Sequence, residues 1–411
     1  MNPQLTVVGI AEDGCLSLTS KAVNSVANAE VLAGHARHKV WFPQFQGEFL
    51  DMAMGFNAWL SAISSRLDDG LEVVVLASGD PLFFGIGATL QQRLGVSARY
   101  IPSLSSMQLA CAELGWPWQQ ASFVSLHGRP LFGLTSALQH TDLCAVLTDE
   151  TNHPARIAQH LELYNQQDWR VAVCEQLGSA KQRVRQYSVA ELAKLSSNEF
   201  DPLNVVLLQR GLNERWGGYG VFAFDDDFAK KVPKRGLISK YAVRNQAIAW
   251  LRLAPTDCFW DIGSGSGSVA IELAKQAYKG KGWAIESEIE CIEAITHNLQ
   301  SHSVDNVALI HSKAPLGLDN FDAPNGVFIG GSRGEMSDIL NAAWQVLQVN
   351  GRIVVSAVTL ETQQQVQAWA ELNNQQYQLQ VLNVANTQPL AGYQRLQAEN
   401  PVYLYVFHKN N

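Results

Sequence analysis

A glycine-rich turn in the second half of the chain carries residue types suited to binding a nucleoside. The apolar run Cys258 to Ile262 predicts a buried strand, and Gly263-Ser264-Gly265-Ser266-Gly267 follow it before a predicted helix. Glycines at such a turn let the backbone approach a ligand closely and tighten the passage from strand to helix. Glu286 ends the next predicted strand. An acid there commonly accepts hydrogen bonds from ribose hydroxyls.

Three readings of this turn differ in what it binds: a dinucleotide, S-adenosylmethionine, or no ligand at all. The dinucleotide fingerprint is Gly-x-Gly-x-x-Gly. Here the order is Gly-x-Gly-x-Gly, with Asp261 just before it. S-adenosylmethionine has no pyrophosphate, so we favour it where an acid adjoins the loop. We therefore predict a site for S-adenosylmethionine formed by Asp261, Gly263, Ser264, Gly265, Gly267, Glu286 and Ala314.

The first half of the chain has three turns that adjoin predicted strands. Ser78-Gly79-Asp80-Pro81 follows the apolar run Val73 to Ala77, and Ser105-Ser106 and Ser125 to Arg129 come later. The carboxyl ends of parallel strands are where α/β proteins bind ligands. A plain turn explains Gly-Asp-Pro equally well. His127 beside Arg129 on a glycine turn is a candidate contact for an anionic substrate.

A local run of cations lies between the two halves. Six of them fall within fifteen residues without an acid: Lys230, Lys231, Lys234, Arg235, Lys240 and Arg244. A solvated linker is one interpretation, and a site for a polycarboxylate is the other. Lys240 and Arg244 share one face if the stretch is helical, and an arginine can hold a carboxylate with two hydrogen bonds.

Composition excludes several classes of protein. The chain has 411 residues, a net charge of −8 and 17% charged residues. A negative net charge opposes a broad nucleic-acid-binding face. No apolar run reaches the ~20 residues that span a bilayer, and the start lacks the features of a signal peptide. The six cysteines are scattered without metal-ligand spacing, so we expect no metal, no disulfide framework and a cytoplasmic protein.

The pattern of apolar runs predicts an α/β protein in two parts. Buried strands are expected first at Leu5 to Ile10, Val73 to Ala77, Leu143 to Leu147, Val171 to Cys174 and Val205 to Leu208, and again from Cys258 onward. We predict domains at 1–211 and 235–411 with a linker at 212–234. Ser287 with Glu290 predicts a capping box, and the Gln-rich stretch 363–380 predicts a solvated helix face and a turn.

These residues resemble two known families. Residues 1–211 resemble the tetrapyrrole (corrin and porphyrin) methylases, on the basis of Val8-Gly9-Ile10, Ser78 to Pro81, Ser105-Ser106 and Ser125 to Arg129. Residues 235–409 resemble the decarboxylating precorrin methyltransferases, on the basis of Gly236 to Lys240, Arg244, Asp261 to Gly267, Phe328 to Ser332 and Val358 to Thr362. The resemblance implies a two-subdomain tetrapyrrole methylase fold followed by a Rossmann-like methyltransferase fold.

The resemblance also implies a function. Fused chains of this kind act in cobalamin biosynthesis, where they methylate a precorrin, or its cobalt form, at ring carbons 5 and 15 and decarboxylate an acetate side chain. Ring carbons are then the nucleophiles and the methyl group of S-adenosylmethionine is the electrophile. The N-terminal cofactor contacts would be Gly79, Asp80, Phe83, Ser105 and Ser106, and the substrate contacts His127, Arg129, Lys240, Arg244 and Arg333.

Two alternatives remain open at this point. The substrate could be another tetrapyrrole. Alternatively, one active methyltransferase could be joined to a corrinoid-binding domain that is not catalytic, because the first loop, Gly9 to Gly14, lacks the usual Gly-x-Gly-Pro-Gly. The expected partner is a small-molecule tetrapyrrole, with neither nucleic acid nor membrane. The resemblance suggests a homo-oligomer.

Overall fold

The structure is a computed structural model, and it describes residues 4–212, 214–230 and 239–410. The chain divides into two compact units. The first contains Met1–Arg129, Asp142–Arg156 and Arg170–Gln209, and the second contains Pro130–Thr141, Ile157–Trp169 and Arg210–Asn411. The chain crosses between the units several times, which a model of two consecutive domains does not anticipate.

The elements alternate between strand and helix over most of the chain. Up to residue 210 they are β1 (Leu5–Ile10), α1 (Ser20–Ala27), β2 (Val31–Gly34), α2 (Ala36–Lys39), β3 (Glu48–Asp51), α3 (Phe56–Asp68), β4 (Val73–Ser78), α4 (Gly87–Leu94), β5 (Ala98–Ile101), α5 (Ser106–Leu114), β6 (Ser122–Ser125), α6 (Leu134–Leu138), β7 (Leu143–Leu147), α7 (Pro154–Leu163), β8 (Trp169–Glu175), β9 (Arg183–Ser188), α8 (Val189–Leu192) and β10 (Asn204–Arg210).

The remaining elements follow the same alternation until the last strands. They are α9 (Tyr241–Leu251), β11 (Cys258–Ile262), α10 (Ser268–Gln276), β12 (Lys281–Glu286), α11 (Ile289–Ser301), β13 (Val307–His311), β14 (Gly326–Ile329), α12 (Met336–Val346), β15 (Arg352–Ala357), α13 (Leu360–Leu372), β16 (Tyr377–Leu382), β17 (Ala385–Leu390), β18 (Tyr393–Ala398) and β19 (Val402–His408).

The first unit is built on two five-stranded sheets. One has the order β3-β2-β4-β1-β5, and its pairs are parallel. Its central strands are buried on both faces, as the apolar runs predicted. The other has the order β6-β7-β10-β8-β9 and mixes parallel with antiparallel pairs. Two sheets with helices confirm the two-subdomain α/β fold expected for this part.

The second unit is built on a seven-stranded sheet of order β13-β12-β11-β14-β15-β19-β16. The strands β11 to β15 pair in parallel, and β19 pairs antiparallel with both of its neighbours, β15 and β16. Buried clusters cover both faces, which explains the continuous apolar runs. This is the Rossmann-like architecture expected for the C-terminal part. The strands β17 and β18 form a separate two-stranded hairpin.

Much of the segment predicted as a linker packs into the core of the second unit. Trp216, Ala223 and Phe228 are buried there. The ring of His302 stacks between Phe228 and Tyr219, with centroid distances of 4.5 and 4.2 Å. Residues 214–230 therefore form part of a folded body, although the domain boundaries themselves stay a prediction.

One local prediction is wrong, and another is confirmed except at its end. The helix α11 begins at Ile289 with Glu288 as its N-cap, and no side chain caps it. Ser287 therefore forms no capping box, because its backbone N–H bonds the Glu286 carboxylate instead. The Gln-rich stretch contains the end of α13 and the turn after it, as predicted, and only its last residues enter the strand β16.

Candidate functional site

The second unit has a cavity of about 360 Å³ at the carboxyl ends of its parallel strands. We call it the C-terminal cavity. It is lined by turns that follow β11, β12, β13, β14 and β15. Eight of the residues predicted from the sequence line it: Lys240, Asp261, Gly263, Ser264, Gly265, Glu286, Ala314 and Arg333. Parallel strands bring their carboxyl ends to one edge, and this gathers residues that are far apart in the sequence.

The glycine turn after β11 needs glycine for two physical reasons. Gly263 and Gly265 have φ values of +73° and +59°, in the left-handed region that favours glycine. A Cβ atom on Gly263 would lie 2.6 Å from the carbonyl oxygen of Gly331. The turn is anchored to β12 because the N–H groups of Gly263 and Ser264 both donate to the carbonyl of Ile285, at 3.0 and 3.2 Å.

Glu286 holds the same turn from the end of β12. One carboxylate oxygen accepts from the N–H of Gly265 at 2.9 Å. The other accepts from the N–H groups of Ser287 and Glu288 at 2.7 and 3.0 Å. The side chain is nearly buried and lines the C-terminal cavity. A fixed acid at this position suits the recognition of a ribose.

Asp261 is the second acid of the C-terminal cavity. It is buried, and one carboxylate oxygen accepts from the N–H of Ala270 at 3.0 Å. The pKa of Asp261 is raised to about 7, mainly by burial and in smaller part by the nearby charge of Glu286, while hydrogen bonds with Ser264 and Ala270 act in the opposite direction. The carboxyl group is therefore easily protonated near neutral pH.

Two predicted residues lie outside this lining. Gly267 is the N-cap of α10 at φ +76°, and a Cβ atom there would lie 2.9 Å from Ile295. Arg244 is fully buried and pairs with Glu272 at 2.9 Å and Asp225 at 3.0 Å. These contacts occupy the guanidinium group of Arg244. The geometry therefore favours a structural role for Arg244 over binding of the substrate.

The structure describes only part of the basic segment. Lys231, Lys234 and Arg235 lie outside the described residues, as do Gly236, Leu237 and Ile238 of the motif before Lys240. Lys230 pairs with Asp226 at 3.1 Å. Lys240 is half-exposed and lines the C-terminal cavity, with Nζ 4.0 Å from Asp225. Of the described cations in this run, Lys240 is thus the one that faces the cavity.

The first unit has a larger cavity of about 680 Å³, which we call the N-terminal cavity. The carboxyl ends of β1 and β4 reach it from one sheet, and those of β6, β7 and β8 reach it from the other. Seven residues predicted from the sequence line it: Gly79, Asp80, Phe83, Ser105, Ser106, His127 and Arg129. The structure therefore brings together in one cavity the residues predicted for this half.

The turn after β4 is shaped by two residues. Gly79 has φ +65°, and its N–H donates to the carbonyl of Ile10 at 2.8 Å. The Asp80 carboxylate accepts from the N–H groups of Leu82 and Phe83 at 2.9 and 3.0 Å. Asp80 thus orients the turn through one of its oxygens while the residue lines the N-terminal cavity.

The two serines mark the start of the helix α5. Ser105 is the N-cap, and it forms a capping box with Gln108. This hydrogen bonding fixes the first turn of the helix beside the N-terminal cavity, which both Ser105 and Ser106 line. Ser105 therefore acts at least in part by shaping the wall of the cavity.

The turn with His127 and Arg129 is held from behind by two residues that sequence reasoning missed. The buried amide of Asn152 donates to the carbonyls of Leu126 and Arg129, at 3.0 and 2.8 Å. Asp149 accepts from the N–H of Gly128 at 2.7 Å. Hydrogen bonds from backbone N–H groups hold the pKa of Asp149 below its usual value. The signal in the sequence was a second turn, Thr148 to Asn152, directly after the strand β7.

Arg37 is another lining residue that the sequence analysis missed. Its guanidinium group donates to the Ser78 hydroxyl at 2.8 Å and pairs with Glu12 at 3.0 Å. Arg37 and Glu12 both line the N-terminal cavity. Glu12 belongs to the altered first loop, so that loop contributes an ion pair where a glycine turn was expected.

Neither a metal centre nor a membrane span emerges from the part of the chain that the structure describes. Across residues 4–212, 214–230 and 239–410, the His, Cys, Asp and Glu side chains form no group of three or more that could hold a metal ion. In the same ranges, none of the helices combines the length and the apolar character that a membrane crossing requires.

Two family models match the chain. The model described as tetrapyrrole (corrin/porphyrin) methylases matches residues 4–193, and the model described as precorrin methyltransferase domain matches residues 232–409. A protein from Sinorhizobium sp named precorrin-6Y C(5,15)-methyltransferase (decarboxylating) is 32% identical over 372 residues, which is 88% of this chain and 86% of the relative.

Shorter proteins match parts of the chain. A cobalt-precorrin-7 C(5)-methyltransferase from Salmonella typhimurium is 35% identical over 181 residues, which is 44% of this chain and 88% of the relative. A crystal structure titled precorrin-6y C5,15-methyltransferase from Geobacter metallireducens has 36% identity and a TM-score of 0.44, and covers 46% of this chain and 99% of that chain. From the two family models and the full-length relative, the chain belongs to the family of decarboxylating precorrin-6Y C(5,15)-methyltransferases, which are enzymes.

Proposed function

We propose that this chain methylates precorrin-6Y, or its cobalt form, at ring carbons 5 and 15 and decarboxylates an acetate side chain, in the biosynthesis of cobalamin. The observation that carries the proposal is the presence of two cavities, one in each compact unit. Each lies at the carboxyl ends of strands and is bordered by a glycine turn and by cations. Two methylations by one chain are simplest to understand with two such sites.

The C-terminal cavity suits S-adenosylmethionine. Gly263 and Gly265 line the cavity in left-handed conformations, so this part of its wall is bare backbone, and Glu286 is positioned to receive ribose hydroxyls. One oxygen of the buried Asp261 has no hydrogen-bond partner within the described residues, and the residue lines this cavity. When bound, S-adenosylmethionine supplies an electrophilic methyl group.

The N-terminal cavity is also suited to this cofactor. The turn of Gly79 and Asp80 and the start of α5 at Ser105 and Ser106 form one wall, with Phe83 beside them. His127 and Arg129 lie on an exposed turn that borders the same cavity. We assign the first group to the cofactor and the second to the carboxylates of the substrate.

For methyl transfer to a ring carbon, the main task of the protein is to position the ring carbon and the methyl group. Holding two reactants in line at near-contact distance can supply about 7–11 kcal/mol of the barrier at best. Lys240 and Arg333 border the C-terminal cavity and are placed to hold the carboxylate arms of the substrate there. A carboxylate moved into an apolar pocket loses hydration, and this favours the loss of carbon dioxide.

Product analysis with the full chain tests the proposal. Incubation with precorrin-6Y and S-adenosylmethionine should yield a product that has gained two methyl groups and lost one carbon dioxide, as read by mass spectrometry. Arg129→Met should weaken methylation at carbon 5, and Lys240→Met should weaken the reaction at carbon 15. A single methylation by the wild type would instead support a non-catalytic N-terminal part, and faster turnover of another tetrapyrrole would overturn the substrate assignment.

We propose in addition that the protein is a homo-oligomer in the cytoplasm. Every residue of the strands β17 and β18 is exposed, including Leu390, Tyr393 and Leu396. Exposed apolar side chains grouped on one element mark interaction surfaces. Leu396→Ser should lower the mass measured by light scattering, and a monomeric wild type would refute the proposal. The six cysteines, all within the described residues, form no disulfide, in keeping with a reducing compartment.

A further inference from the structure

Two cations that line the C-terminal cavity are each paired with an acid of the protein itself. The Nζ atom of Lys313, just after β13, lies 2.7 Å from Glu335. The guanidinium group of Arg333, just after β14, lies 2.7 Å from Glu288. Lys313 and Arg333 line the cavity, whereas the two acids are absent from its described lining. Each of these two cations therefore lines the cavity while it is paired with a carboxylate that lies outside the cavity lining.

One short turn contributes to both pairs. Arg333 and Glu335 lie on the turn from Ser332 to Glu335, which is closed by a hydrogen bond from the N–H of Glu335 to the carbonyl of Ser332 at 3.0 Å. Arg333 has φ +49°, which lies in the left-handed region. This conformation is unfavourable for any residue other than glycine. The turn thus fixes the direction in which the Arg333 side chain leaves the backbone.

The two ion pairs are suited to exchange. The side chains of Lys313 and Glu335 are 50% and 38% exposed, and those of Arg333 and Glu288 are 53% and 31% exposed. Exposed pairs of this kind contribute little to stability, since water and salt screen them. A carboxylate delivered by a ligand in the cavity can therefore replace either acid at small cost.

We propose that Lys313 binds a carboxylate arm of the substrate, and that Glu335 and Glu288 occupy Lys313 and Arg333 until the substrate displaces them. This inference rests on the proposed function of the C-terminal cavity. The two acids act as internal competitors of the substrate. Their effect is to weaken substrate binding without contacting the substrate.

The test measures the carbon-15 reaction of the full-length enzyme with precorrin substrate. Glu335→Gln keeps the shape of the side chain but removes its charge, so Lys313 is freed. We expect KM for the tetrapyrrole to fall about two- to fivefold while kcat and the affinity for S-adenosylmethionine stay unchanged. Lys313→Met should raise KM, and adding Glu335→Gln to it should have no further effect on KM.

The matched control is Asp322→Asn. It breaks the exposed pair of Lys281 and Asp322, whose atoms are 2.8 Å apart and which lie outside the described lining of the cavity. KM should not change in this variant. A KM that stays constant or rises in Glu335→Gln, with carbon-15 product still formed by the wild type, overturns this inference alone. Absence of that product from the wild type overturns the proposed function and this inference together.

Discussion

The contacts of Glu286 allow a sharp prediction about one of the two cofactor sites. Glu286→Gln preserves the size of the side chain but replaces one acceptor oxygen with a donor. In either orientation the new amide group faces a backbone N–H, because one oxygen accepts from Gly265 and the other accepts from Ser287 and Glu288. The variant therefore loses at least one hydrogen bond to a charged group, and with it the charge offered to the ribose.

The size of the effect follows from the hydrogen bond that a ribose hydroxyl would donate to this carboxylate. A hydrogen bond to a charged group contributes about 1.5–3 kcal/mol. If that amount is lost from cofactor binding, the affinity for S-adenosylmethionine at the C-terminal cavity falls roughly 10- to 150-fold. The N-terminal cavity belongs to the other compact unit, so its affinity should stay the same.

Calorimetric titration of the full chain with S-adenosylmethionine resolves the two sites. The carbon-15 reaction should then need more cofactor to saturate, and the carbon-5 reaction should be unaffected. Glu293→Gln is the matched control, because this acid lies on the exposed side of α11 and has the same change of charge. Equal weakening of both sites, or no weakening of either, would show that Glu286 does not hold the cofactor as argued.

Three further outcomes are expected. Asn152→Leu leaves two carbonyls of the His127 turn without their buried donor, so methylation at carbon 5 should fall at least tenfold while the carbon-15 reaction continues, as product analysis would reveal. Gly263→Ala places a Cβ atom 2.6 Å from the carbonyl of Gly331, and its thermal unfolding should show a loss of at least about 1–3 kcal/mol. Burial raises the pKa of Asp261 from 3.8 to about 7, so between these pH values the folded protein holds a proton that the unfolded chain has released. Its contribution to the free energy of unfolding should therefore fall as pH rises through this window, by up to about 1.4 kcal/mol per pH unit, and urea titrations of Asp261→Asn should lack this component.

The sequence was sufficient to locate both cavities because their turns follow recognisable strands. The apolar runs before Gly79 and Gly263 are buried strands, and parallel pairing brings the turns that follow them to one edge. A residue such as Lys313 could have been sought in the same way, since it comes shortly after the strand β13. Local pattern and the geometry of parallel sheets are thus enough to predict which turns border a cavity.

Partners that are distant in the sequence could not be anticipated. Arg244 lies in a run of cations that suggests an exposed surface, yet Glu272 and Asp225 meet it in the core. The turn that contains Asn152 follows a recognisable strand, but the contacts of its side chain could not be anticipated, because its two acceptors lie more than twenty residues earlier in the chain. Periodicity reports which face of an element is buried, and it does not report which polar groups meet there.

The hydrogen bonds of Asp305 have a consequence for synthesis of the chain. Its carboxylate accepts from the N–H groups of Thr135 and Ser136 at 2.8 Å and contacts His160 at the same distance, all within the second unit. Thr135 precedes Asp305 by 170 residues. At about 5–20 residues per second, a ribosome needs on the order of 10–30 s to cover that distance. For that time the start of α6 emerges without its acceptor, so this part of the nascent chain completes its fold only after much of the C-terminal half has been translated.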